Sequence, residues 1–149
     1  MMKYIEAPEN WKRLYGQLSV FLAGGITDCP DWQKEIVKML EMTNYVVLNP
    51  RQERFTADAE LQIQWEFRHL RKADVISFWF CEGNIQPIAL FELGAWSKQK
   101  CPTVVIGVEP GYPREKDIYI QMELLGRSDI AQSLDELADK IISLERSMR

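Results

Sequence analysis

The sequence predicts an open α/β fold with a doubly wound parallel sheet. Short apolar runs alternate with stretches of helical spacing along the whole chain. The runs are apolar at consecutive rather than alternate positions, as strands covered on both faces must be. The length of 149 residues fits one domain, and a hydrophobic content of 46% is enough for a core without metal or disulfide support. Right-handed crossovers then favour an open sheet with helices on both sides, which binds its ligands beyond the carboxyl ends of the strands.

The elements follow in order. Residues 18–23 (LSVFLA) read as a buried strand stopped by Gly24-Gly25. Residues 31–42 carry Trp32, Ile36, Met39 and Leu40 at helical spacing, with Asp28 or Asp31 to cap the start and Pro30 at its threshold. Residues 45–48 (YVVL) form a second strand ended by Asn49-Pro50, and residues 59–72 a second helix. Residues 74–80 (DVISFWF) are a third strand, 87–98 a third helix and 103–108 (TVVIGV) a fourth strand. Helices are expected over 114–125 and 134–147, with a weak fifth strand near 128–131. Residues 1–17 read as an N-terminal extension of a single domain.

Composition narrows the partners. A net charge of -4 argues against a nucleic-acid polymer, because duplex binding relies on Lys and Arg neutralising phosphates. Cys29, Cys81 and Cys101 show no C-x-x-C spacing, and His69 is the only histidine, so neither a metal nor a cofactor is expected. Cysteines read as free thiols suggest a reducing compartment. No run approaches the roughly 18 apolar residues of a membrane span. The expectation is a cytoplasmic protein with a small-molecule ligand and no membrane partner.

Four places can carry chemistry. Ala23-Gly24-Gly25-Ile26-Thr27 follows the first strand, where glycines let backbone approach a ligand and unpaired N–H groups face an anion. Glu92 stands among Ile88, Leu90, Phe91, Leu93 and Trp96, and a carboxylate in such company needs a reason. Gly94, inside the same helix, suggests close approach of another backbone or a ligand. Glu66 lies mid-helix among Arg68, His69 and Arg71, where a surface ion pair is the plain reading. Arg51 of Asn49-Pro50-Arg51 sits at a carboxyl edge, placed either to face a ligand anion or to lie in a solvated loop. Asp74, at the opposite end of its strand, suits a cap or turn.

FLAGGI at residues 21–26, the Asp31-Trp32 helix start, NPR at 49–51, the helix entering Ala73-Asp74-Val75 and FELG at 91–94 occur in one order. Together they resemble the nucleoside 2-deoxyribosyltransferase-like family over residues 18–145. The resemblance implies a flavodoxin-like, five-stranded, three-layer fold. It implies cleavage of the bond between base and (deoxy)ribose, with Glu92 as nucleophile and Glu66 contacting or protonating the base. The ester formed on Glu92 would pass to a second base or to water. Phe21 stands where many members have tyrosine, Gln86 where many transferases have aspartate, and Glu66 where aspartate is usual. The expected substrate-binding set is Phe21, Ala23, Gly24, Gly25, Ile26, Trp32, Asn49, Arg51, Asn84 and Gln86. Trp32, Trp65 and Trp79 are weighed between stacking on the base and simple core roles. A homodimer or higher homo-oligomer is also implied. The competing reading is a non-catalytic nucleotide-binding sensor on the same fold.

Overall fold

In the computed structural model, which describes residues 1–53 and 58–149, every predicted strand and helix forms within a few residues of its expected span. The chain runs β1 (Lys3–Glu6), β2 (Ser19–Gly24), α1 (Trp32–Met39), β3 (Val46–Asn49), α2 (Ala59–Lys72) and β4 (Val75–Phe80). It continues α3 (Pro87–Trp96), β5 (Thr103–Val108), α4 (Glu115–Leu124), β6 (Ile130–Ala131) and α5 (Leu134–Met148). Among the described residues the strands form one six-stranded sheet in the order β1-β3-β2-β4-β5-β6, with every pairing parallel. The last five strands in that order make the flavodoxin-like arrangement.

The sixth strand corrects the expected count of five. It comes from the supposed extension, where Lys3–Glu6 adds to the free edge of β3 in the register Lys3↔Val46 to Glu6↔Asn49. Only Ile5 of its four residues is buried, so a strand this short and this exposed shows no alternation for sequence reading to find.

Alternation along the strands divides the core into two layers. Val20, Leu22, Val75 and Trp79 face α1 and α5, meeting Trp32, Ile36, Leu137 and Ile141. Phe21, Ala23, Ile76, Phe78 and Phe80 face the other way, toward Trp65 and Leu70 of α2, Leu93 of α3 and Ile118 of α4. Asp31 caps α1 by accepting from Lys34 N at 3.1 Å. Asp74 has the structural task expected of it. Its carboxylate accepts from Ser19 N at 2.8 Å and pairs with Arg13.

The N-terminal segment is held to α2 through a buried histidine. Trp11 N donates to His69 Nε2 at 3.1 Å, so Nδ1 carries the proton and donates it to Trp65 O at 2.7 Å. The ring stacks on Trp65 with centroids 4.0 Å apart, and Trp65 Nε1 in turn donates to Glu9 O. Burial lowers the His69 pKa, and the nearby Lys72 and Arg68 push in the same direction. The unfolded chain therefore takes up a proton that the native state refuses as pH falls below the ordinary histidine value of 6.5. The contribution of His69 is complete above that pH and is lost beneath it. Denaturant unfolding at pH 8 and pH 5.5 should show a loss of stability in acid, and the part due to His69 should vanish in His69→Gln.

Candidate active site

The strand order fixes where a ligand can sit. β2 lies between β3 and β4, and the chain leaves β2 for one neighbour and returns later to the other. This is the topological switch point, and a crevice opens there beyond the carboxyl ends. Gly24, the last residue of β2, has φ +143°. A Cβ on it would stand 2.2 Å from Trp79 O of β4, so glycine is required both by conformation and by the approach of the neighbouring strand. A Cβ on Gly25 would meet Cys29 Sγ at 2.2 Å and Gln86 Oε1 at 2.5 Å.

α3 carries the central carboxylate over this crevice. Gln86, in a left-handed conformation, precedes Pro87 at the first turn, which fixes the direction of the helix. Glu92 lies just past its first turn and faces α2. A cleft of about 530 Å³ opens between the Gly24-Gly25 turn, the 84–86 loop and the two helices, and both Glu66 and Glu92 line it. That volume is in the usual range for a small-molecule site. Glu92 Oε2 is buried without a hydrogen-bond partner among the described residues. Burial raises the Glu92 pKa to about 8, with a further push from Glu66. Burial raises Glu66 as well, opposed by Gln62 Nε2, which donates to Glu66 Oε1 at 3.1 Å. Glu66 is thus no surface ion pair.

The expected binding residues divide into two groups. Gly24, Gly25, Ile26, Asn84 and Gln86 line the cleft with the two glutamates. Gln86 Nε2 donates to Cys81 O at 2.7 Å and Asn84 O at 3.2 Å, and its Oε1 is buried with no partner among the described residues. Asn84 Nδ2 donates to Asp28 O at 3.1 Å. The second group is set back from the cleft. Phe21 and Ala23 are buried in the core beneath it. Trp32 is buried on the opposite face of the sheet, and its Nε1 donates to Gly25 O at 3.0 Å. Asn49 caps Arg51 N and donates to Tyr4 Oη. Arg51 donates to Pro30 O, Gln33 Oε1, Ile26 O and Cys29 O, so its guanidinium braces the β2–α1 loop. Trp65 and Trp79 are also core residues, at 1% and 4% exposure, so none of the three tryptophans weighed for stacking presents a face to the cleft.

The sequence-matching model of the family described as nucleoside 2-deoxyribosyltransferase like covers residues 17–112, well over half of the chain. The chain belongs to the nucleoside 2-deoxyribosyltransferase-like family. No curated protein matches it. In this nucleoside 2-deoxyribosyltransferase-like chain the matched span contains the whole of the cleft described above.

Several features of the site were not read from the sequence. Ile63 lies one turn before Glu66 and lines the cleft from the same helix face, a spacing that could have flagged it. Asp28, considered only as a cap, also lines the cleft and has φ +56°. Cys29 and Cys81 are joined in a disulfide, which corrects the reading of three free thiols; Cys101 alone is free and exposed. Gly94 marks no close approach, since a Cβ there would meet open space. A larger open groove of about 790 Å³ lies at α5 and the amino end of β5, the wrong end of the sheet for ligand binding, and its Lys140 is already bonded to Asp129. Among the described residues no helix is long and apolar enough to cross a membrane.

The two glycines predict different failures. Gly24→Ala pits a Cβ against fixed backbone at a forbidden φ and should cost on the order of 2–4 kcal/mol in denaturant unfolding. Gly25→Ala meets side chains rather than backbone, the Cys29 sulfur of the disulfide and the Gln86 amide, so its strain falls on the walls of the cleft. It should leave a cooperative transition and instead weaken ligand binding, measured by calorimetry.

Proposed function

We propose that the protein cleaves the N-glycosidic bond of a nucleoside through a covalent sugar ester on Glu92. The reading rests on one observation: two partly buried glutamates line one cleft at the sheet's switch point, and one of them keeps a buried oxygen with no hydrogen-bond partner among the described residues. Glycosidic chemistry needs such a pair, because the bond breaks through an oxocarbenium-like transition state. Glu92 Oε2 attacks the anomeric carbon as the C–N bond breaks, and the base leaves with a proton supplied by Glu66, directly or through a water. A second base or a water then attacks the same carbon, returns a proton to Glu66 and releases the Glu92 carboxylate. Gln86 Oε1 is positioned to accept from a sugar hydroxyl, since its amide nitrogen is already committed. Asp28, Glu66 and Glu92 give the cleft an acidic lining. Where Glu92 is ionised for attack, above about pH 8, that lining favours an uncharged nucleoside over its 5′-monophosphate.

A second copy of the chain completes the site. Ile63, Phe67, Ile88 and Phe91 are exposed along a groove of about 570 Å³ between α2 and α3, which Glu66 and Glu92 also line. A partner seated on this apolar strip would close the cleft and exclude water from the two carboxyl groups. Phe91→Glu should lower the mass found by light scattering and reduce turnover with it. An unchanged mass would remove the interface from this face.

The catalytic reading is tested by incubating the protein with nucleosides and their monophosphates, with and without a second free base, followed by chromatography. New nucleosides mean transfer and free sugar means hydrolysis. Glu92→Gln and Glu92→Ala should fold and lose at least about 10³-fold in turnover, in line with loss of a covalent nucleophile. Binding with no turnover in the native protein would favour the non-catalytic sensor. Attack requires the ionised carboxylate, so kcat/KM should rise with pH through about 8. Stability moves the opposite way. The native state holds a proton that the unfolded chain gives up above the ordinary value of 4.5, so stability contributed at Glu92 falls as pH rises from there toward 8. Glu92→Gln should flatten that fall.

A further inference from the structure

Cys29 and Cys81 are separated by 52 residues in sequence. Neither lines the candidate cleft itself, but each sits directly behind one of its walls: Cys29 in the β2–α1 loop after Asp28, Cys81 directly after β4 and before the 84–86 loop. Their sulfur atoms meet the groups that shape the cleft. Gln86 Nε2 lies 3.4 Å from Cys81 Sγ and Asn84 Nδ2 lies 3.6 Å from Cys29 Sγ. The space above Gly25, where a Cβ would clash, is filled by Cys29 Sγ and Gln86 Oε1. Both cysteines are buried, at 7% and 2% exposure, while Cys101 is exposed and unpaired.

We propose that Cys29 and Cys81 form a reversible dithiol–disulfide pair whose oxidised state sets the shape of the cleft. A disulfide holds its sulfurs about 2.05 Å apart. Two unbonded thiols in contact need on the order of 3.5–4 Å. Reduction therefore separates the two sulfurs by well over 1 Å, at a point where Gly25 and Gln86 crowd the Cys29 sulfur, so the loops that carry them must readjust. Misplacement of that size is enough to cost on the order of 10²-fold in a reaction that depends on alignment. The sheet itself is held by its own ladders and both core layers, so the effect stays local to residues 25–29 and 81–86.

The exchange partner is a small disulfide. The Cys29 thiolate attacks one of its sulfurs, forming a mixed disulfide and expelling one thiolate. The Cys81 thiolate then attacks the Cys29 sulfur and expels the second. Two electrons pass to the small disulfide, and the two protein thiol protons end on the two small thiols. Cys29 is the entry point, because it is the more exposed of the pair.

The test uses full-length protein carrying Cys101→Ser to prevent scrambling, equilibrated in buffers of oxidised and reduced glutathione. Non-reducing peptide mapping should find residues 29 and 81 linked under oxidising buffer and free after dithiothreitol. Hydrogen exchange should then speed at least about tenfold in residues 25–29 and 82–86 of the reduced form, with the β4 and β5 amides unchanged. The double variant Cys29→Ser/Cys81→Ser should match the reduced form in both buffers. The activity arm rests on the glycosidic reading: kcat/KM should fall at least about tenfold on reduction. Absence of the linked peptide, equal exchange in the two states, or equal turnover in a protein that does turn over would each overturn the proposal. Absence of turnover in both states would instead count against the function assigned to Glu92, and mapping with exchange would still decide the bridge.

Discussion

The site depends on how closely β2 and β4 approach at their carboxyl ends. The two strands are parallel neighbours, in register from Val20↔Val75 to Gly24↔Trp79. At the last pair no side chain fits between Gly24 and the Trp79 carbonyl. That contact brings the Gly24-Gly25 turn against the loop that begins at Cys81. The β2–α1 loop and the start of α3 then become two walls of one crevice. Parallel strands with helical crossovers cannot avoid such a crevice where the strand order reverses, and the glycines make it narrow enough to hold a small molecule.

Electrostatics then gives the crevice its character. α3 carries Glu92 out over the strand ends, and α2 brings Glu66 to face it. Each carboxyl group is desolvated, and Glu66 makes Glu92 harder still to ionise. An arrangement of this kind opposes stability, since an unpaired buried polar oxygen raises the energy of the native state and ionising Glu92 beside Glu66 raises it further. Persistence of such an arrangement in a cleft marks it as a candidate functional site. In the reaction proposed above, a developing positive charge on the sugar would relieve it.

Much of the polar and aromatic chemistry nearby is structural support. Arg51 offers its guanidinium to main-chain carbonyls of the β2–α1 loop and so holds one wall in place. Trp32 braces the same wall from below through Gly25 O. On the other side Tyr112 Oη donates to Ile85 O at 2.5 Å and anchors the 84–86 loop, with burial pushing its own hydroxyl pKa up to about 12. Tyr112 is also the last residue of the family-matched span.

The sequence by itself determined the fold class, the strands β2 to β5, the helices between them and the suspicion attached to Glu92. Those features come from local periodicity and from a charged residue in apolar company, both of which are written along the chain. It also singled out Gly24 and Gly25, because a double glycine after a strand has few other uses. Tertiary structure alone decided which of the suspected residues face one another. Arg51 and Trp32 sit at the right distance along the chain but turn their polar atoms into the loop, a choice made by the acceptors that packing puts within reach. Cys29 finds Cys81 only because β2 and β4 are neighbours, and β1 exists only because β3 leaves an edge for it to join. Contacts of this kind depend on strand order, which no local pattern encodes.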